Sequence, residues 1–195
     1  MKNKSTYVTI VSGLPRSGTS LMMQMLEAGG LPVLTDGIRQ ANVDNPKGYY
    51  ELERVKDLPN DKSWVGEASG KAVKVIYKLV EHLPANSAYR IVFMQRDLEE
   101  VLRSQEHMLA NDGLAPGTMG RDGLLQHFQT DVMAFRRWAE AQKNISLIYV
   151  DYQGLVDEPA EWVMRVCRFL GVDLDCDAMA AVVDHTLYRN RSAAG

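Results

Sequence analysis

The sequence is poor in cysteine and carries little excess charge, and each of these absences excludes a class of protein. Its 195 residues include two cysteines, Cys167 and Cys176, which are too few for a disulfide framework and lack the spacing of a metal site. Cys167 lies in a helical pattern and is expected to be a buried free thiol. A net charge of −3 argues against a general nucleic-acid binder.

Long apolar runs are also absent. No segment approaches the roughly 18 consecutive apolar residues that a membrane span requires. A short apolar run follows Lys2 and Lys4, but it contains Thr9 and Ser12 and leads directly into a loop. This pattern is typical of a strand and not of a signal peptide. The sequence therefore predicts a cytoplasmic protein without a membrane span.

Strand patterns alternate with helix patterns along the chain. β-branched and apolar residues predict clear strands at residues 7–11, 89–95 and 145–150, and weaker ones at 31–34 and 71–76. Apolar residues at helical spacing predict helices at residues 19–28, 51–58, 77–83, 98–109, 124–142, 159–170 and 177–183. The alternation predicts one α/β domain over residues 1–195, with a central parallel sheet flanked by helices in three layers. A ligand is expected at the carboxyl ends of the strands.

A glycine-bearing loop joins the first strand to the first helix. Gly13 and Gly18 have the spacing of the phosphate loop G-x-x-x-x-G-K-[ST], and backbone N–H groups at a helix start favour an anion there. Residue 19 is Thr19, where a nucleotide-binding loop has the lysine that reaches the terminal phosphates. The cation within this loop is Arg16. The pattern predicts a P-loop-like fold with an anion site, and it disfavours an ordinary kinase or GTPase.

Residues 13–21, GLPRSGTSL, resemble the 5′-phosphosulfate loop of sulfotransferases, in the form found in tyrosylprotein and bacterial members. Arg96 follows a predicted strand, and Ser104 lies about two helical turns later, so both can face the same side. This pair is similar to the arginine and serine with which sulfotransferases bind a 3′-phosphate. Residues 147–172 resemble the family's last strand and following helix. Asp151, at the end of that strand, is interpreted as structural because the nucleotide-loop lysine is missing.

The resemblance implies which donor and which class of acceptor the protein uses. The donor is 3′-phosphoadenylyl sulfate (PAPS), whose product is 3′-phosphoadenosine 5′-phosphate (PAP), and no metal is required. The acceptor is a hydroxyl group on a small molecule, glycan, lipid or peptide. The residues implied to bind the donor are Pro15, Arg16, Ser17, Gly18, Thr19, Ser20, Arg96, Ser104 and, in the tail, Arg189 and Arg191.

Sulfuryl transfer needs a cation beside the reacting oxygens and a base for the acceptor hydroxyl. Arg16 is the first candidate for the cation, because it lies in the loop and is permanently charged. Lys71 is the second, since some sulfotransferases place a catalytic lysine at a comparable position, and Lys74 is the alternative if the register differs. The resemblance implies two candidates for the base: Asp36, near the position of the acidic base in tyrosylprotein sulfotransferases, and Glu51, in a loop similar to an acceptor-side segment of bacterial ones. The four histidines pair with no motif and are expected to have surface or core roles.

Two other functions stay open at this point. One is a P-loop kinase-like phosphotransferase with an altered loop, which the threonine at residue 19 disfavours. The other is a non-catalytic nucleotide-binding protein of the same fold. The loops at residues 36–50 and 111–123 are expected to shape the acceptor pocket, but their residues do not identify the acceptor.

Overall fold

Four parallel strands form the central sheet, in the order β2–β1–β3–β4. The computed structural model describes residues 6–42, 45, 47–111, 113 and 118–184. Because the strands are parallel, their carboxyl ends lie along one edge of the sheet, where a ligand is expected. The strands are β1 (Val8–Gly13), β2 (Ala72–Lys74), β3 (Tyr89–Gln95) and β4 (Ile145–Asp151).

Helices connect these strands. Within the described part of the chain the α-helices are α1 (Thr19–Ala28), α2 (Trp64–Glu67), α3 (Leu98–Asn111), α4 (Arg121–Glu140), α5 (Tyr152–Asp157), α6 (Pro159–Leu170) and α7 (Cys176–Ala181). Two 3₁₀ helices, Glu53–Asp57 and Tyr77–His82, precede and follow β2.

The sheet is buried on both faces, because successive residues of β1 and β3 alternate between two apolar clusters. Ile10, Ile91 and Phe93 belong to a cluster that α2, α3, α4 and the 3₁₀ helices complete. Val11 and Val92 belong to the opposite cluster, which α1, α5, α6 and α7 complete. A parallel sheet between two layers of helices confirms the predicted three-layer α/β fold.

The structure differs from the sequence prediction where elements are short. Residues 31–34 make a single bridge, from Val33 to Ala72, instead of a strand. The helices α2 and α5 were not predicted. α5 begins directly after β4 because the Asp151 carboxylate accepts a hydrogen bond from the Gly154 backbone N–H, at 2.6 Å. This N-cap is the structural role interpreted for Asp151.

Two predictions from composition concern the cysteines and the membrane. Cys167 is a free thiol, as expected, and so is Cys176, but both are partly exposed, so the prediction of a buried Cys167 is wrong. Cys167 lies at the margin of the apolar cluster beneath α6 and not inside it. Among the described residues, no helix is both long and apolar enough to cross a membrane.

The contact between α4 and the sheet gives a first testable prediction. The rings of Phe135 on α4 and Phe93 on β3 stack with centroids 4.6 Å apart, and both are buried. Phe135→Ala is expected to lower the free energy of unfolding by about 3 kcal/mol, since it removes this stack and leaves a cavity. Met133→Ala, on the exposed side of the same helix, is the matched control. Urea denaturation measures both, and equal midpoints for the two variants would contradict the packing described.

Candidate active site

The carboxyl ends of β1, β2 and β3 open into one cavity of about 590 Å³. The loop after β1, the end of β2, α3 and α5 line it. Residues 36–50 also line it, through Arg39, Asn45, Lys47 and Tyr49, whereas the described part of residues 111–123 does not. A cavity of this volume is large enough for a nucleotide-sized ligand.

Residues 14–18 form the loop between β1 and α1, where the glycine spacing predicts a phosphate site. Gly18 has φ 98°, and a Cβ at this position would lie 2.3 Å from the Tyr152 ring, so glycine is required both for conformation and for space. Arg16 also has a left-handed backbone, with φ 69°. This conformation costs free energy in a residue other than glycine, and surrounding contacts must maintain it.

Two arginines connect this loop to β3 and α3. The Arg16 side chain donates from Nε to Ser104 Oγ at 3.0 Å. Arg96 donates from Nη1 to the backbone carbonyl of Arg16 at 3.2 Å. Gln105 on α3 also donates to the Pro15 carbonyl, at 3.5 Å. Residues from two separate sequence motifs thus meet at the same cavity.

Arg96 is buried, and an internal carboxylate compensates its charge. Its Nε donates to Glu100 Oε2 at 2.9 Å, and the two side chains are only 8% and 2% exposed. The guanidinium carbon lies 4.7 Å from the centre of the Tyr152 ring, in a cation–π contact. These contacts fix the orientation of a cation that lines the cavity.

Lys74, at the end of β2, lies over the start of α1. Its Nζ donates to the Tyr49 carbonyl at 3.0 Å and to Ser20 Oγ at 3.3 Å. Burial lowers the pKa of Lys74 to about 8, while the Glu51 carboxylate, 3.8 Å away, opposes part of this shift. An anionic ligand beside Lys74 would stabilise its charge.

Glu51 is a carboxylate that lines the cavity. Its Oε1 accepts a hydrogen bond from Arg39 Nη1 at 2.8 Å, and the side chain remains 22% exposed. The Arg39 guanidinium in turn lies 3.6 Å from the centre of the Tyr49 ring. Glu51 is therefore held in place and accessible from the cavity.

Asp36, the other candidate base, lies outside the cavity lining. Its carboxylate accepts hydrogen bonds from the backbone N–H groups of Ile38 and Glu53. Burial raises the pKa of Asp36, but these backbone hydrogen bonds outweigh it, and the net effect is a lowered pKa. A carboxylate already engaged in this way is a poor proton acceptor.

Other predicted site residues also lie away from the cavity. Lys71 precedes β2 and therefore lies at the amino edge of the sheet, opposite the carboxyl edge that carries the cavity. Ser17 does not line the cavity: its hydroxyl is buried and donates to the Leu14 carbonyl at 2.7 Å. Pro15, Gly18, Thr19 and Ser20 do line it. Arg189 and Arg191 lie outside the described residues.

His107 lines the cavity, contrary to the expectation of a surface or core role. It follows Ser104 by three residues, which places both on the same face of α3. This spacing from a residue already assigned to the site is the sequence signal that identifies it.

The environment of Lys74 predicts how its amine titrates. NMR of the protein labelled at lysine Cε is expected to give a pKa near 8 for Lys74, because burial disfavours its charged form. Glu51→Gln removes a stabilising carboxylate and should lower this pKa further, whereas Arg39→Gln removes a repelling cation and should raise it. Lys56 is the internal control, since its hydrogen bond to Glu53 raises its pKa. A Lys74 pKa at or above 10.5 would contradict the burial described.

Several solved structures of known proteins have a similar fold. The structure is similar to the sulfotransferase domain of the Synechococcus PCC 7002 olefin synthase, with 16% identity, a TM-score of 0.55 and coverage of 100% of this chain and 91% of that one. It is also similar to mouse sulfotransferase SULT7A1 complexed with PAP, with 14% identity, a TM-score of 0.57 and coverage of 97% and 68%. For sulfotransferase STF1 from Mycobacterium tuberculosis the identity is 17%, the TM-score 0.57 and the coverage 93% and 72%.

At these identities the similar structures show the fold alone. The family is shown by the sequence, because the model of the Sulfotransferase domain matches residues 8–194, nearly the whole chain. The protein belongs to the sulfotransferase family.

Proposed function

We propose that this protein transfers a sulfuryl group from PAPS to the hydroxyl group of an acceptor molecule. The observation that carries the proposal is the placement of Arg16, Lys74 and Arg96 around one cavity at the carboxyl edge of the sheet. Family membership supports the reaction class, and the similar mouse enzyme was solved with PAP.

The strand order supports a donor site with two ends. β1, which leads into the phosphate loop, lies between β2 and β3, so Lys74 and Arg96 flank the loop from opposite sides. Neighbouring strands are about 4.8 Å apart, which separates the two flanks by roughly 10 Å. The loop N–H groups, Thr19 and Lys74 form the end for the 5′-phosphosulfate. Arg96 and Ser104, with Arg16, form the end for the 3′-phosphate.

The contacts of Ser20 favour this donor over a nucleoside triphosphate. In nucleotide-binding loops the corresponding hydroxyl is a magnesium ligand. Here the Ser20 hydroxyl accepts hydrogen bonds from Lys74 Nζ and from Asn45 Nδ2, the latter at 2.9 Å. The positive charge at this position therefore comes from a side chain of the protein, which suits a donor that needs no metal.

We assign the two chemical roles at the β2 end of the cavity to Lys74 and Glu51. Lys74 stabilises the negative charge that develops on the reacting oxygens, since Arg16 points instead to Ser104. Glu51 accepts the proton of the acceptor hydroxyl. The acceptor oxygen forms its bond to sulfur as the bond from sulfur to the bridging oxygen breaks, and PAP leaves with that electron pair. The products are a sulfate ester, PAP and one proton.

Calorimetric titration with PAP tests donor binding. Wild type is expected to bind PAP, and Arg96→Gln to weaken binding about 10- to 100-fold, because a hydrogen-bonded charge facing a phosphate is lost. Arg136→Gln, a change of the same kind on the exposed face of α4, should bind as wild type does. Circular dichroism checks folding of the Arg96 variant, and Ser104→Ala tests the same end of the site with a smaller change. Tighter binding of magnesium–ATP than of PAP would favour the phosphotransferase alternative.

The role of Glu51 is tested against Asp36, the second carboxylate. Release of PAP from PAPS is measured with a panel of alcohols and phenols as acceptors. Glu51→Gln is expected to lower kcat by about 10²- to 10⁴-fold, since it removes the base, and to leave PAP binding within a few fold. Asp36→Asn, outside the cavity, should retain nearly full kcat. If Asp36→Asn were the slower enzyme, the assignment would be reversed, and PAP binding without turnover of any acceptor would indicate a non-catalytic protein.

A further inference from the structure

Cys167 and Cys176 face each other across the turn between α6 and α7. The Cys176 thiol donates to the Cys167 sulfur, with the two Sγ atoms 2.7 Å apart. A disulfide bond is about 2.05 Å long, so the two sulfurs lie only about 0.7 Å farther apart than bonded ones. The turn thus places two thiols in position to react with each other.

Hydrogen bonds on both sides of the turn fix this arrangement. α6 ends at Gly171, in the left-handed conformation with φ 58°, and the Gly171 N–H donates to the Cys167 carbonyl at 2.9 Å. α7 begins with the Asp175 carboxylate accepting from the Ala178 N–H at 2.9 Å. The Asp175 N–H also donates to the Gly29 carbonyl, which ties the turn to the end of α1.

The two thiols have different surroundings, although both are partly exposed. Burial and the contact with Cys176 raise the pKa of the Cys167 thiol to about 12, and the Met179 sulfur lies 3.7 Å from it. A thiol with a high pKa reacts slowly with oxidants, because the thiolate is the nucleophile. Cys176 is therefore the thiol that reacts first, and Cys167 the one that resolves the product.

We propose that Cys167 and Cys176 form a redox site that hydrogen peroxide converts to an intramolecular disulfide joining α6 and α7. The Cys176 thiolate attacks a peroxide oxygen, the O–O bond breaks, and hydroxide leaves to become water, which gives a sulfenic acid. The Cys167 sulfur then attacks the Cys176 sulfur, the S–O bond breaks, and the hydroxyl leaves as water with the Cys167 proton. Two thiols are oxidised to one disulfide, and one peroxide is reduced to two waters.

α7 connects this site to the proposed donor pocket, although the redox chemistry involves neither donor nor acceptor. Met179 of α7 packs on Gly29 at the end of α1, the helix that starts at the phosphate loop. Beyond α7, the Val182 carbonyl accepts a hydrogen bond from Lys47 at 3.2 Å, and Asp184 lines the cavity. The disulfide would fix the helix that leads to these contacts.

The test uses the full chain, reduced and then treated with hydrogen peroxide in slight excess. Remaining thiols are alkylated with N-ethylmaleimide, and the intact mass is measured. The reduced protein should take up two maleimides. The oxidised protein should take up none, lose two hydrogen atoms and yield a linked Cys167–Cys176 peptide after digestion, and dithiothreitol should restore both alkylations.

Single variants distinguish the two thiols. Cys167→Ser is expected to leave Cys176 as a sulfenic or sulfinic acid after peroxide, whereas Cys176→Ser should leave Cys167 largely reduced and alkylated. Near-ultraviolet circular dichroism confirms that each variant is folded. Two alkylated thiols after peroxide, oxygen addition to wild type without a linked peptide, or a disulfide between two chains would each overturn the proposal.

Discussion

Arg96 and Glu100 form a buried ion pair at the junction of β3 and α3, and the conformation of the phosphate loop depends on it. Glu100 lies in the first turn of α3, where its backbone N–H donates to the Asp97 carboxylate, so the helix start and the ion pair are built together. With Nε bound to Glu100, Arg96 directs Nη1 to the Arg16 carbonyl and holds Arg16 in its left-handed conformation. Removing one partner of such a pair leaves a buried charge, which typically costs about 3–5 kcal/mol. Arg96, directly after β3, thus positions the neighbouring loop that follows β1.

Lys74 is a buried cation at the carboxyl edge of the sheet, and its burial has a cost in free energy. Its pKa is lowered from 10.5 to about 8, so keeping it charged at neutral pH costs the folded protein roughly 3 kcal/mol. Between pH 8 and pH 10.5, Lys74 is mostly protonated in the unfolded chain and mostly deprotonated in the folded protein. The contribution of Lys74 to the free energy of unfolding therefore rises with pH over this range. An anion bound beside the amine would offset this cost. A cation buried at the carboxyl edge of the sheet is thus better explained by ligand binding than by stability of the fold.

The sequence predicts the sheet and most of the residues that line the cavity in the loop after β1 and on α3. The strand at residues 89–95 and the helix at residues 159–170 have the predicted bounds, because a continuous apolar run and a period-3.6 apolar pattern each reflect burial directly. Arg16, Arg96 and Ser104 meet as expected because loops after parallel strands converge. Whether Lys71 or Lys74 lies at the carboxyl end of β2 depends on where this strand begins and ends. A strand of three residues is too short for its bounds to be predicted from the local sequence pattern. The choice between Asp36 and Glu51 depends on how an irregular loop folds over the sheet, and that is set by tertiary contacts such as Arg39 on Tyr49.

Glu51 and the proposed donor share the same cations, and this sharing links donor binding to the base. In the structure Glu51 has two positive neighbours, Arg39 at 2.8 Å and Lys74 at 3.8 Å. A bound phosphosulfate would draw the Lys74 ammonium towards itself and bring negative charge close to the carboxylate. Arg39 would then be the cation that remains with Glu51, and together with the Tyr49 ring it keeps the carboxylate in place beside the cavity. Donor binding and the position of the proposed base are therefore linked through Lys74.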